Sequence, residues 1–243
     1  MAMLAAIETT GESCAVAVLD REKLLVEFRA EMPRAHDRLL ASFFRGALNT
    51  CGLKPDEINA LALSVGPGSY TGIRIGMSFA IGFASAVGVP ITPVSTLDSI
   101  AWNARSVGEV GGRNRVLSLI PDRRGDLYAA LYEIHSDFRC LTAPYNLPIE
   151  ELTPLLDENV FAAGPGAELI EKAYDDCIAH ETLRLTAVAV AEYGHELFRR
   201  GVALSPDQVK PLYISGVTSI NGERTSDKGR QTSGSVDASN SSI

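Results

Sequence analysis

The residues of this chain whose chemistry stands out sit at turns. Glu8-Thr9-Thr10 ends an apolar run at a hairpin-sized break. A carboxylate and two hydroxyls there can hold a magnesium-bound water and phosphate oxygens. Asp122-Arg123-Arg124-Gly125-Asp126 stands at the matching point of the second half. Two carboxylates, Glu8 and Asp122, facing each other across a cleft would form a metal–phosphate site. Between them, Ser64-Val65-Gly66-Pro67-Gly68 carries an apolar strand into a glycine-rich turn, and a helix begins at Ser69. Gly66 and Gly68 allow the sharp bend, and such a joint can aim helix N-terminal N–H groups at an anion. An equally weighted reading makes Thr9, Thr10 and Asp122 turn formers and nothing more.

Other chemistries are absent from the pattern. There is no Gly-x-x-x-x-Gly-Lys-Ser/Thr loop, so a P-loop enzyme is excluded. Ser64 lies outside any Gly-x-Ser-x-Gly elbow, which argues against a hydrolase nucleophile. His36, His135, His180 and His195 stand apart, with no His-x-x-x-His helix face and no cysteine at ligand spacing. Arg123-Arg124 could meet phosphate or RNA, but a solvated hairpin tip is the preferred reading. Cys14, Cys51, Cys140 and Cys177 are scattered like free thiols of a reducing, cytoplasmic compartment. Net charge is -8 over 243 residues, which argues against binding nucleic acid alone by neutralising phosphates. The N-terminus has no basic region and reads as a first strand, not a signal peptide.

These residues need elements to position them. Strands are expected at Met3–Thr10, Cys14–Asp20 and Leu24–Met32. An amphipathic helix follows from about Arg34 to Cys51, with Leu39, Leu40, Phe43, Phe44, Ala47 and Leu48 on its apolar face and Gly52 as C-cap. Then come the strand Asn59–Val65, the helix Ser69–Gly88, the strand Pro90–Val94 and a short helix from Thr96 to about Arg105. Only Arg74 is charged between Ser69 and Gly88, and Gly72, Gly76, Ala80 and Ala84 form an i, i+4 ridge almost without side chains. A helix apolar all round is buried on more than one side. The glycines and serines make a membrane span a poor reading, so no membrane association is expected.

The second half repeats the order. Strands are expected at Val116–Ile120, Asp126–Ile134 and Arg139–Leu147, a helix at Ile149–Leu156, and a strand Val160–Ala163 that meets a second Gly-Pro-Gly turn at Gly164–Gly166. A helix then runs to about Tyr174. The order predicts an α/β fold of two duplicated βββαβα lobes facing across a cleft. The alternative is one larger α/β domain with a coincidental second turn. The boundaries drawn are 1–107 for the first lobe, 108–217 for the second, with Gly108–Asn114 a linker, and 218–243 for a polar tail expected to be disordered.

The strings IETTGESCAVAVLD, PRAHDRLL, SVGPGSYTGIRIGMSFAIGFASAVGVP, PDRRGDLYAALYE, AAGPGAE and PLY occur in the order seen in the TsaB family, once called YeaZ. The resemblance covers about Met1 to Tyr213. It implies the RNase H-like lobes of the actin/Hsp70/sugar-kinase superfamily. It also implies a role in placing threonylcarbamoyl on the adenosine next to the tRNA anticodon. TsaB proteins resemble a degenerate relative of the catalytic subunit TsaD and pair with it. Where TsaD-like proteins carry two metal-binding histidines after the Gly-Pro-Gly helix, this chain has Thr96 and Ile100, which cannot replace two imidazoles.

By this resemblance the chain is a non-catalytic scaffold that activates TsaD. It forms a homodimer when TsaD is absent, works with a TsaE-type ATPase, and meets tRNA only through the complex. The expected partner interface is His36, Leu39, Leu40 and Phe43 on the first helix, with Gly72, Ile73, Gly76, Met77 and Ala80 on the second. The alternative, given less weight, makes the ridge that helix's internal packing face. Glu8, Thr9, Thr10, Gly66, Gly68 and Asp122 form a candidate degenerate nucleotide site. No intrinsic cofactor or metal is expected, with ATP or ADP and magnesium bound weakly or at the complex interface. The competing readings are an autonomous ATPase or phosphotransferase using Glu8 and Asp122, and a metalloprotease, which lacks a metal motif.

Overall fold

Runs that are apolar at nearly every position become strands covered on both faces. The computed structural model describes residues 3–107, 112–135, 138–173, 179–180 and 184–214. In the first half, β1 (Met3–Glu8), β2 (Ser13–Asp20) and β3 (Lys23–Glu31) form an antiparallel meander. Helix α1 (His36–Cys51), β4 (Ala60–Ser64), α2 (Tyr70–Val87), β5 (Ile91–Val94) and α3 (Thr96–Val107) follow. β4 and β5 add in parallel beside β1, giving the order β3-β2-β1-β4-β5.

The second half contains β6 (Arg115–Pro121), β7 (Leu127–Glu133), β8 (Arg139–Cys140), β9 (Tyr145–Leu147), β10 (Val160–Ala163), α4 (Ala167–Ala173), β11 (Ala179–His180) and α5 (Ala187–Arg199). Its sheet reads β8-β7-β6-β10-β11, the same order with the same parallel and antiparallel pairings. One repeated turn could be coincidence. A repeated five-strand order, each copy followed by a closing helix, α3 or α5, is a duplicated unit.

The first sheet sorts its side chains by size. Ile7, Val16, Val18, Leu61 and Leu63 face α1 and α2. On the other face, Ala6, Ala15, Ala17, Ala60 and Ala62 lie under α5. Small residues let that helix approach closely, and a Cβ on Gly194 of α5 would fall within contact distance of the Ala62 methyl. The N-terminus of α5 is capped twice. Thr186 Oγ1 accepts from the Ala189 N–H (3.1 Å), and Glu27 Oε1 of β3 accepts from Ala187 (2.9 Å) and Val188 (3.3 Å). Helix α3 crosses the other way. Its Leu97, Ile100, Ala101 and Ala104 pack on Val116, Ile120, Tyr132 and Phe161 of the second sheet, and Tyr132 donates to Asp98 Oδ1 at 2.7 Å.

Several expectations change. The range 108–217 is not wholly second lobe: α5, absent from the expected elements, packs on the first sheet, Leu204 bridges Ile91, and the Leu212 N–H donates to the Val65 carbonyl at 2.8 Å. The third strand of the second lobe splits into β8 and β9, both on β7. The helix expected at Ile149–Leu156 is a 3₁₀ segment, Ile149–Leu155, with Pro154 inside it; proline removes the N–H that an α-helix needs there. Residues 108–111 of the linker, Cys177 and the tail 218–243 lie outside the described residues.

The small ridge of α2 faces inward. Gly72, Gly76, Ala80 and Ala84 are buried against the chain's own sheet, as are Ile73 and Met77. A Cβ on Gly72 would collide with the Thr9 carbonyl, whereas Gly82 has open space around its Cβ position. Gly72→Ala should therefore lower the melting temperature by several degrees, from an overpacking cost of roughly 1–3 kcal/mol at about 2–4 °C per kcal/mol. Gly82→Ala should leave it unchanged or slightly raised. Thermal unfolding followed by circular dichroism checks both.

Candidate functional site at the inter-lobe cleft

Both Gly-Pro-Gly turns lie at the mouth of the space between the lobes. The first is held to the end of β1: the Ser69 N–H donates to the Thr10 carbonyl at 2.7 Å and Thr9 Oγ1 donates to the Gly72 carbonyl at 2.8 Å. The second is held to β6, with the Gly166 N–H donating to the Leu119 carbonyl at 3.1 Å. In both, the turn glycines touch backbone where no side chain fits. Between them opens a cleft of about 1800 Å³, walled by Thr10, Gly68, Tyr70 and Arg34 on one side and by Asp122, Arg123 and Arg124 on the other.

Glu8 lies beneath this cleft, fully buried. Its Oε1 accepts from the Thr10 N–H (2.5 Å) and the Thr10 hydroxyl (2.6 Å), while Oε2 has no partner. Thr96 Oγ1 donates to Thr10 Oγ1 at 3.1 Å and lies 3.0 Å from Ser64 Oγ. A carboxyl among hydroxyls, with no cation, pays the full desolvation cost of its charge. Burial holds its pKa above the ordinary 4.5, against the lowering effect of the Thr10 and Ser64 hydroxyls. Burial, then the nearby Glu8 charge, pushes the Cys14 thiol up to about 11, so this cysteine is unreactive.

Asp122 is on the cleft wall, but its oxygens are engaged. Oδ1 accepts from the N–H groups of Arg124 (2.6 Å) and Asp126 (3.0 Å), and Oδ2 accepts from Asn146 Nδ2 (3.2 Å). Both carboxylates therefore close their own turns, Asp122 through both oxygens on the cleft wall and Glu8 through one oxygen beneath it. Leu185 fills the space against Gly11, 2.6 Å from its Cβ position, and narrows the inner end. The cleft brings Thr10, Gly68 and Asp122 onto its walls; Thr9 and Glu8 sit below it, and Gly66 faces the Leu212 carbonyl instead.

The two positions expected to have lost metal ligands are filled differently. Thr96 is fully buried within the hydroxyl cluster, and Ile100 is in the second lobe's core, its Cδ1 2.8 Å from the Cβ position of Gly164. Among the described residues no group of three His, Cys, Asp or Glu side chains could hold a metal ion. The chain nevertheless matches, over residues 30–180, the family described as TsaD, tRNA N6-adenosine threonylcarbamoyltransferase. It is 38% identical over 128 residues to the tRNA threonylcarbamoyladenosine biosynthesis protein TsaB of Escherichia coli, covering 53% of this chain and 54% of that one. It is 25% identical over 223 residues to TsaB of Haemophilus influenzae, covering 87% and 92%. The YeaZ structure from Pseudomonas aeruginosa superposes with a TM-score of 0.79 at 27% identity, over 88% of this chain and all of that one.

The chain belongs to the TsaD family, on its TsaB (YeaZ) branch. It spans about half the length of the Escherichia coli relative.

The expected interface residues divide. Leu39 and Phe43 are half-exposed on α1. Leu40 of α1 is buried in the monomer, and so are Gly72, Ile73, Gly76, Met77 and Ala80 of α2, whose glycines lie directly on Thr9. His36 is buried too; its Nε2 lies 3.1 Å from the Gly11 carbonyl and ties α1 to the first hairpin. At the surface of α2, Ile75, Phe79 and Phe83 are half-exposed at i, i+4 and i+8, with the exposed Ser78 and Gly82 beside them. Phe79 and Phe83 flank the buried Phe44 of α1, with centroids 5.1 and 4.6 Å away. Their spacing was visible in the sequence, but a uniformly apolar helix hides which stripe faces out.

Because folding raises the Glu8 pKa, this group stabilises the fold fully only below about pH 4.5, and that contribution is lost as pH rises through its folded value. Glu8→Gln keeps the shape without the charge. Its melting temperature should match the parent near pH 4 and exceed it increasingly towards pH 7. A variant less stable by the same margin at every pH would contradict the assignment.

Proposed function

We propose that this chain is the non-catalytic docking subunit of the assembly that places threonylcarbamoyl on the adenosine beside the tRNA anticodon. Its partner is a TsaD-type subunit, which it activates, with a second copy of itself in that place when TsaD is absent and a TsaE-type ATPase as a further component. The assembly works in the cytoplasm. The observation that carries the reading is the pairing of a lost reaction centre with a surplus surface. By the family resemblance Thr96 and Ile100 take the place of the two metal-binding histidines, while Leu39 and Phe43 on α1 and Ile75, Phe79 and Phe83 on α2 leave two apolar rows half-exposed side by side. Rows of large apolar residues from two adjacent helices suit a helical bundle with another subunit.

An autonomous ATPase would need a metal–phosphate site. The engaged oxygens of Asp122 and the enclosed Glu8 argue for weak nucleotide binding by the isolated chain, or binding completed by a partner. Calorimetry with Mg-ATP should give no sub-micromolar affinity. Turnover abolished by Glu8→Gln would favour the ATPase instead.

Gly82 provides the sharper test of docking. It is exposed in mid-helix with room for a side chain, so Gly82→Glu should fold and melt at least as well as the parent. On a bundle interface it buries an unpaired charge. Sedimentation should show loss of the homodimer, and co-purification with the TsaD-type subunit should fall more than tenfold. A Gly82→Glu chain that still dimerises and still binds TsaD would remove this helix from the interface.

A further inference from the structure

Beside the cleft, and apart from the apolar rows, two tyrosines are exposed where large aromatic rings are otherwise covered. Tyr70 is 48% exposed and Tyr213 46%; every other exposed large apolar side chain among the described residues is aliphatic. The two rings stack on each other, centroids 5.6 Å apart at 29°. The Arg74 guanidinium lies 4.0 Å over the Tyr70 ring and also faces the Tyr213 hydroxyl. Arg74 and Tyr213 both lie against the Tyr70 ring, and Tyr213 itself stays 46% exposed.

The stack is anchored. Tyr70 opens α2 directly after the Ser69 cap. Tyr213 follows Leu212, whose N–H donates to the Val65 carbonyl and whose own carbonyl lies against Gly66. A rigid, preordered ring loses little entropy when a flat partner lands on it. Arg74 is the one charged residue between Ser69 and Gly88, and the cleft that Tyr70 lines carries both signs, with Glu12, Asp37 and Asp122 beside Arg34, Arg123 and Arg124. Across the cleft that Tyr70 lines, Arg123 and Arg124 form no ion pair among the described residues.

We infer that the Tyr70–Tyr213 stack, with Arg74 and the Arg123-Arg124 tip, is a platform for an unpaired nucleotide of RNA, the base on Tyr213 and phosphates on the arginines. Aromatic faces beside cations are the elements that hold single-stranded nucleic acid with little sequence preference. The inference rests on the proposed place of the chain in a tRNA-modifying assembly, and it replaces purely indirect contact with tRNA by a direct one. With a net charge of -8, stacking supplies most of the affinity. Three arginines limit the salt dependence to a slope of at most about -2 in log K against log salt, at about -0.7 per phosphate.

The test uses the full chain and a fluorescein-labelled single-stranded RNA heptamer, with anisotropy as readout. The parent should bind and a fully paired RNA duplex should bind less. Tyr213→Ala should weaken heptamer binding between about fivefold and about 150-fold, the range of one base–aromatic stack. Tyr213→Phe should retain it. Both variants should keep the parent's melting temperature, homodimer and TsaD co-purification, whereas Gly82→Glu should lose those contacts and keep heptamer binding. No heptamer binding by the parent, or equal binding by Tyr213→Ala, overturns the inference. So does a Tyr213→Ala chain that keeps RNA but loses dimer or TsaD, since the stack would then be a protein contact.

Discussion

The close approach of α2 to the end of β1 is the constraint on which the rest of this structure depends. Thr9 donates its hydroxyl to the Gly72 carbonyl, the Ser69 N–H donates to the Thr10 carbonyl, and no Cβ fits at Gly68, Gly72 or Gly76. Fixing that contact fixes the rotation of α2 about its axis. The ridge then goes inside, Ile75, Phe79 and Phe83 come to the surface, and Tyr70 is set at the lip of the cleft. The same contact seats Thr10 over Glu8 and so closes the hydroxyl cluster. A single backbone apposition thus determines the buried polar floor, the exposed apolar rows and the aromatic stack together.

The duplication shows how such a joint changes use. In the second lobe the corresponding turn sits on Leu119 and Ile100 rather than on threonines, so its surroundings are apolar. In the first lobe threonines stand there: the Thr96 hydroxyl donates to Thr10 Oγ1, and the Thr9 hydroxyl donates to the Gly72 carbonyl. Glu8 keeps one oxygen without a partner and is held uncharged more readily than an exposed carboxyl. A buried carboxyl with hydroxyl neighbours is compatible with stability only because three of those neighbours, Thr10, Thr96 and Ser64, satisfy each other.

Much of this was legible in the sequence, and the gaps have physical causes. The strands, α1, α2, both Gly-Pro-Gly turns and the two-lobe order follow from apolar runs punctuated by glycine and proline. The burial of Thr96 and Ile100 fits their apolar and hydroxyl neighbours in the sequence. The facing of α2 was not legible, because a helix with Arg74 as its one charge carries little phase; the collision that a Cβ at Gly72 would make with Thr9 sets it. The exchange of α3 and α5 between lobes was also hidden, since chain order says nothing about which sheet a terminal helix covers. Helix α5 itself had signals that went unused: the Thr186 cap and Ala187, Val190, Ala191 and Gly194 at helical spacing. The pairing of Tyr70 with Tyr213 joins residues far apart in sequence and appears only when Leu212 is seen bonded to Val65.

The central claim is that this chain supplies a surface and not a reaction centre. Threonylcarbamoyl transfer to unmodified tRNA, measured with purified components, tests it most directly. The chain alone should transfer nothing, the TsaD-type subunit with its ATPase alone should be slow or inactive, and adding this chain in equimolar amount should restore transfer without adding a metal of its own. Transfer by the chain in the absence of the TsaD-type subunit, or full transfer when the chain is left out, would contradict the account.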